Sequence, residues 1–202
     1  MQNNNENAAP QGAAKKPAFF KGIAEMFISS AKELKNIRVL TFAAMLLALV
    51  TILKMAAFGN DYVKLGLNAI PSNLAYQILG PVSGFFFGVA GDLMGVLVKG
   101  QTVNPLITLV AGLTGLLSGL FLYNKPVRLW RVIAAVLTKT IVCSLWLNTW
   151  ILIAMYNYEP VTIFTSRLAK NAVEAPITII VYYIIAKAVE RVGIFKSLKP
   201  QK

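Results

Sequence analysis

The sequence predicts an all-α membrane protein, a bundle of six transmembrane helices with both termini in the cytoplasm, and three observations predict it. The uncharged runs from Leu65 to Gly91 and from Gly100 to Asn124 are longer than the roughly 20 residues that cross a bilayer. Of the 202 residues, 56% are apolar and only 14% charged, too few polar groups to cover a soluble globule of this size. Once the spans are laid out, 14 of the 20 lysines and arginines fall on one side of the bilayer, so the net charge of +12 sets orientation and does not indicate nucleic acid.

Residues 1–17 are rich in Asn, Gln and Ala without apolar periodicity, which predicts a disordered cytoplasmic tail. The first apolar run begins only after Arg38, so no cleavable signal peptide is expected. Across residues 18–38, Ile23, Phe27, Leu34 and Ile37 recur at helical spacing among Lys21, Lys32, Lys35 and Arg38. That pattern predicts a basic amphipathic segment on the membrane surface, with Ser30 and Glu33 as a capping box.

A six-helix transmembrane domain is expected over residues 39–192. Span 1 runs from about Val39 to Phe58 and ends at Gly59, Asn60 and Asp61. The run over 65–98 is too long for one crossing, and Gly80 with Pro81 near its middle breaks a helix. Span 2 is therefore placed at 66–79, only about 21 Å long, and span 3 at 81–98. A short helix containing Pro71 suits the border of a cavity. Span 4 follows at 104–123, span 5 at 131–155 and span 6 at 162–189, with residues 193–202 as a basic cytoplasmic tail.

The single cysteine, Cys143, excludes an intrachain disulfide and any metal site built on several thiolates. The chain has no histidine, the commonest base and metal ligand, so neither a metal nor another cofactor is expected. There is no GxSxG or HExxH motif and no carboxylate pair in one span, which speaks against an enzyme. A GxxxxGKS/T loop is also absent, so energy for uphill transport would come from another subunit.

Glycines at 84, 88, 91 and 95, and again at 112, 115 and 119, form helical stripes that favour close packing between neighbouring helices. Ala44 and Ala48 form a similar pair in span 1, and spacing leaves open whether it faces a sister helix or another subunit. Charges inside a membrane are functional suspects by default. Lys139 and Glu174 both fall near mid-membrane and are expected to form a structural ion pair, as are Lys54 and Asp92 nearer the outside. Arg167 and Lys170 share only Glu174 as a counter-charge on their stripe. Asn148, flanked by Trp146 and Trp150, reaches a comparable depth, and the first outer loop adds Tyr62 and Lys64. Such a set suits a pocket for a flat heteroaromatic ligand bearing carboxylates. An interfacial aromatic belt with snorkelling cations fits it equally.

Over most of Leu34 to Arg191 the chain resembles the substrate-binding S components of energy-coupling factor (ECF) vitamin transporters, in particular their folate-specific branch. The residues that carry the resemblance are Ala44 and Ala48, the stretch from Lys64 to Pro71, Gly80-Pro81 with Gly84, and Gly91-Asp92 through Gly95. Leu147-Asn148-Thr149-Trp150 and Arg167 with Lys170 and Asn171 complete them. The resemblance implies a subunit of the bacterial plasma membrane that captures folate from outside and reorients to deliver it, driven by a T subunit and two cytoplasmic ATPases. It implies that Ala44 and Ala48 contact the T subunit. It also implies that Arg167, with Lys64 or Lys170, neutralises the glutamate carboxylates of folate, while Asn148 hydrogen-bonds the ligand and Trp146, Trp150 or Tyr62 stacks on its rings. The alternatives are an S component for riboflavin or thiamin, the cationic thiamin being disfavoured by the positive pocket, and a membrane scaffold subunit without a ligand.

Overall fold

The computed structural model describes residues 18–56, 58–59, 64–65, 67–156 and 159–193. Its helices are α1 (Ala18–Glu33), α2 (Ile37–Met55), α3 (Ala69–Val98), α4 (Pro105–Leu122), α5 (Leu129–Lys139), α6 (Asn148–Tyr156) and α7 (Pro160–Val192). A π-helical stretch, Thr140–Leu147, joins α5 to α6 without interruption, and a two-residue antiparallel ladder of β1 (Phe58–Gly59) and β2 (Lys64–Leu65) lies between α2 and α3. Among the described residues, five continuous helices, with Leu129–Met155 counted as one, are long and apolar enough to cross a membrane.

Local chemistry sets the helix ends. The Asn36 side chain accepts from the Arg38 amide at 3.2 Å to start α2, and Asn104 accepts from Leu106 at 3.0 Å to start α4, where Pro105 occupies the first turn. Gly193, at φ 77°, ends α7 in the left-handed conformation that glycine adopts without strain. The capping box expected from Ser30 and Glu33 does not form. Both residues lie inside α1, and Asn36 supplies the cap instead.

At Gly80 (φ 81°, ψ −169°) helix α3 doubles back. Asn68 and Ala69, at the start of its first half, line one cavity with Gly91 and Asp92 of its second half. On a straight helix those positions would lie over 30 Å apart at 1.5 Å per residue. The Tyr76 and Phe87 rings meet edge to face at 5.8 Å, which also requires the two halves to lie side by side. The reversal leaves backbone groups without helical partners, and Ser30 of α1 supplies them. Its hydroxyl donates to the Leu79 carbonyl at 2.7 Å and accepts from the Val82 and Ser83 amides at 3.0 and 3.1 Å. The face of α1 carrying Ser30 is thus keyed into the bundle rather than lying free on a surface.

The second half of α3 packs against α4 through glycine. A Cβ on Gly115 would run into the Gly84 carbonyl oxygen, so the two backbones touch as they could with no other residue. The apolar core spans the bundle, from Val39, Leu46 and Val50 on α2 to Val132, Val136 and Tyr182 on α5 and α7.

Candidate functional site

Two cavities of about 210 and 270 Å³ lie side by side at the end of the bundle opposite the α3 reversal. They share Asn68, Ala69, Thr114, Lys139 and Asn148, so they form one continuous polar recess. Its first part reaches Lys54, Ser72, Tyr76, Phe87 and Asp92, and its second reaches Cys143, Ser144, Lys170, Asn171 and Glu174.

The helix that contributes most to the recess changes its winding there. Lys139 and Asn148 are nine positions apart, and at about 100° per residue an α-helix would put them on opposite faces. Between them the Asn148 amide donates to the Cys143 carbonyl five residues back, the π pattern, which carries more residues per turn. That extra winding brings Lys139, Cys143, Ser144 and Asn148 onto the face that lines the recess.

The same change of phase sends Trp146 and Trp150 elsewhere. Both are 68% exposed. They line a separate apolar groove of about 420 Å³ with Ile153, Pro160 and Phe164. The expectation that they flank Asn148 in one pocket is therefore corrected, because residues two apart on a helix lie about 200° from one another and cannot share a face. The aromatic walls of the recess are instead Tyr76 and Phe87, both buried. Neither was singled out from the sequence.

The charged residues sort as follows. Lys54 lies 3.8 Å from Asp92, as their depths suggested, and it also donates to the Gly91 carbonyl at 2.8 Å, while Thr108 donates to Asp92 at 2.9 Å. Lys139 and Glu174 line the same cavity without meeting directly, contrary to the expected pair. Lys139 donates to the Asn73 side-chain oxygen at 2.7 Å, and Glu174 pairs with Lys170 one turn away at 3.4 Å. Lys170 is thus in the recess. Arg167 is not among its lining residues and donates instead to the carbonyl of Ser144, which is, at 3.2 Å. Asn171 and Ser144 bond to each other through their side chains at 3.0 Å, tying α7 to the π stretch. Asn148 has its side-chain oxygen fully buried with no hydrogen-bond partner among the described residues. A buried acceptor left open costs about 1 to 3 kcal/mol unless something fills it.

Lys64 contributes its backbone to β2, whereas its side chain and the whole of Tyr62 lie outside the described residues. Ala44 and Ala48 are exposed on α2, turned away from the buried face carrying Val39, Ala43, Leu46 and Val50.

A helical membrane bundle that closes on a polar recess with an unfilled acceptor has the architecture of a solute-binding subunit. Residues 38–186 match the family model for the substrate-specific component of ECF transporters, and the chain belongs to that family. It is accordingly a multi-pass membrane protein of a transport system. A folate transporter, FolT, of Clostridium novyi (strain NT) is 28% identical over 168 residues, covering 82% of this chain and 97% of that protein. The crystal structure of FolT bound with folic acid superposes with a TM-score of 0.69 at 26% identity, covering 75% of this chain and 94% of that one.

Proposed function

We propose that this chain is a folate-capturing S component that takes the vitamin into the recess between α3, α5 and α7 and delivers it inward with an energising module. The observation that carries this reading is the recess itself, which combines buried aromatic walls, a buried amide oxygen awaiting a donor, and the cations Lys139 and Lys170. Support comes from the likeness to a folate transporter and to a folate-bound structure over most of both chains. Riboflavin, thiamin and a ligand-free scaffold are not favoured by these likenesses.

On this reading the two halves of α3 are separate crossings, which makes six. The lysines and arginines then put both termini in the cytoplasm and the recess on the outer side. The tail 1–17, the segment 18–38, the bundle 39–192 and the basic tail 193–202 are the working divisions. Asn148 hydrogen-bonds the heterocycle, Tyr76 and Phe87 supply its apolar walls, and Lys170 with Lys64 faces the glutamate carboxylates. Arg167 acts beside them by holding the Ser144 carbonyl and adding positive potential. The chain does no chemistry on its ligand, and ATP is hydrolysed by partner subunits docked through a T subunit.

The exposed pair Ala44 and Ala48 is the T-subunit contact, since small residues let a foreign helix approach closely. Titrating folic acid into the detergent-solubilised chain tests the central reading, which fails if no saturable binding is found. Ala44→Trp tests the docking. It should abolish co-purification with the T subunit while leaving folate affinity within about twofold, and loss of both would assign the pair to internal packing.

A further inference from the structure

Lys139 is the cation in the recess without a direct carboxylate partner among the described residues. Its neighbours are accounted for, since Asp92 is held by Lys54 and Thr108, and Glu174 by Lys170. The Lys139 ammonium carries three protons, and one is directed to the oxygen of Asn73, itself 1% exposed. Asn73 thus anchors the lysine at the floor of the recess. On the same face, brought there by the π winding, stands the buried and unpartnered amide oxygen of Asn148. Lys139 and Asn148 both line the recess, with Tyr76 and Phe87 lining its adjoining part.

From this geometry we infer that Lys139 and Asn148 read the lactam edge of the pterin ring, and that Lys139 makes the chain prefer 4-oxo over 4-amino pteridines. The inference rests on the folate reading above. The lactam presents a carbonyl oxygen at ring position 4 beside a ring N–H, so the ammonium donates to the oxygen while the Asn148 oxygen accepts from the N–H. A carboxylate is the other anionic acceptor folate could offer to Lys139. It would satisfy the ammonium and leave the amide oxygen facing a second acceptor, so the lactam is the better complement. A 4-amino pteridine puts donor hydrogens where the ammonium also donates, and Lys139 works against it. The pterin therefore sits deepest, with the glutamate end toward Lys170. Asn73 is a positioning residue, holding the ammonium in register.

Three probes test this on the full-length chain in detergent: folic acid, pteroic acid, which lacks the glutamate, and 4-amino-4-deoxyfolic acid. The wild type should bind the first two at least about tenfold more tightly than the third, the scale of one charge-assisted hydrogen bond. Lys139→Met should weaken folic and pteroic acids alike by about tenfold or more and leave the 4-amino analogue unchanged or tighter. A uniform loss for all three probes would make Lys139 merely structural, and loss for folic acid alone would assign it to the glutamate. Either overturns the inference. Equal wild-type affinity for folic acid and the 4-amino analogue overturns it without any variant. A wild type that binds none of the three sinks the folate reading itself and this inference with it.

Discussion

The α3–α4 seam and the recess share helix α3, yet they are built on opposite principles. At the seam, Gly84, Gly88 and Gly115 remove side chains until backbones touch, and Gly112 makes room for the Phe85 ring. At the recess the same helix presents Ser72 and Tyr76 to open volume, and polar groups are left partly unpartnered. The recess has an acceptor and a cation that a folded protein alone does not satisfy, which identifies it as the part shaped for a guest.

This difference can be tested from the seam outward. Gly115→Val drives a side chain into the Gly84 backbone and should produce the largest effect, a loss of about 3 kcal/mol or more of stability read as a collapse of the thermal transition in detergent. Arg167→Ala removes the bond to the Ser144 carbonyl and a positive charge at the edge of the recess, and should cost folate about 1.5 kcal/mol of affinity, measured by titration. Affinity within a factor of two would remove Arg167 from the site. Ser30→Ala leaves the Leu79 carbonyl and the Val82 and Ser83 amides without their shared partner. It should lower stability by about 1 to 2 kcal/mol, with folate affinity unchanged because the reversal lies at the far end of the bundle.

The bundle was legible in the sequence because a bilayer imposes length and composition on each crossing, and Gly80-Pro81 announces the reversal in residue types that cannot continue a helix. The Lys54 and Asp92 contact was legible for a related reason, since two opposite charges at one depth in a membrane have little alternative to each other. The interior of the recess was less legible. Lys139 and Glu174 share a depth, but depth does not give azimuth, and Lys139 turns toward Asn73 while Glu174 takes its own helical neighbour. Trp146, Asn148 and Trp150 look like one cluster in the sequence, but residues two apart on a helix lie about 200° from one another, and the π stretch decides which of those faces turns to the recess. No residue type in Thr140–Leu147 announces that stretch, because its side chains suit an α-helix equally well. Ser30 was seen as a cap, and capping is what it does, but for a break fifty residues away in the chain rather than for its own helix.

The separation of Asn148 from the two tryptophans is the point on which the site stands, and paired titrations of folic acid test it most directly. The account predicts one binding site per chain, weakened about tenfold or more by Asn148→Leu and changed less than about twofold by Trp146→Ala. Strong binding that survives Asn148→Leu and vanishes with Trp146→Ala would move the ligand to the outer groove and contradict it.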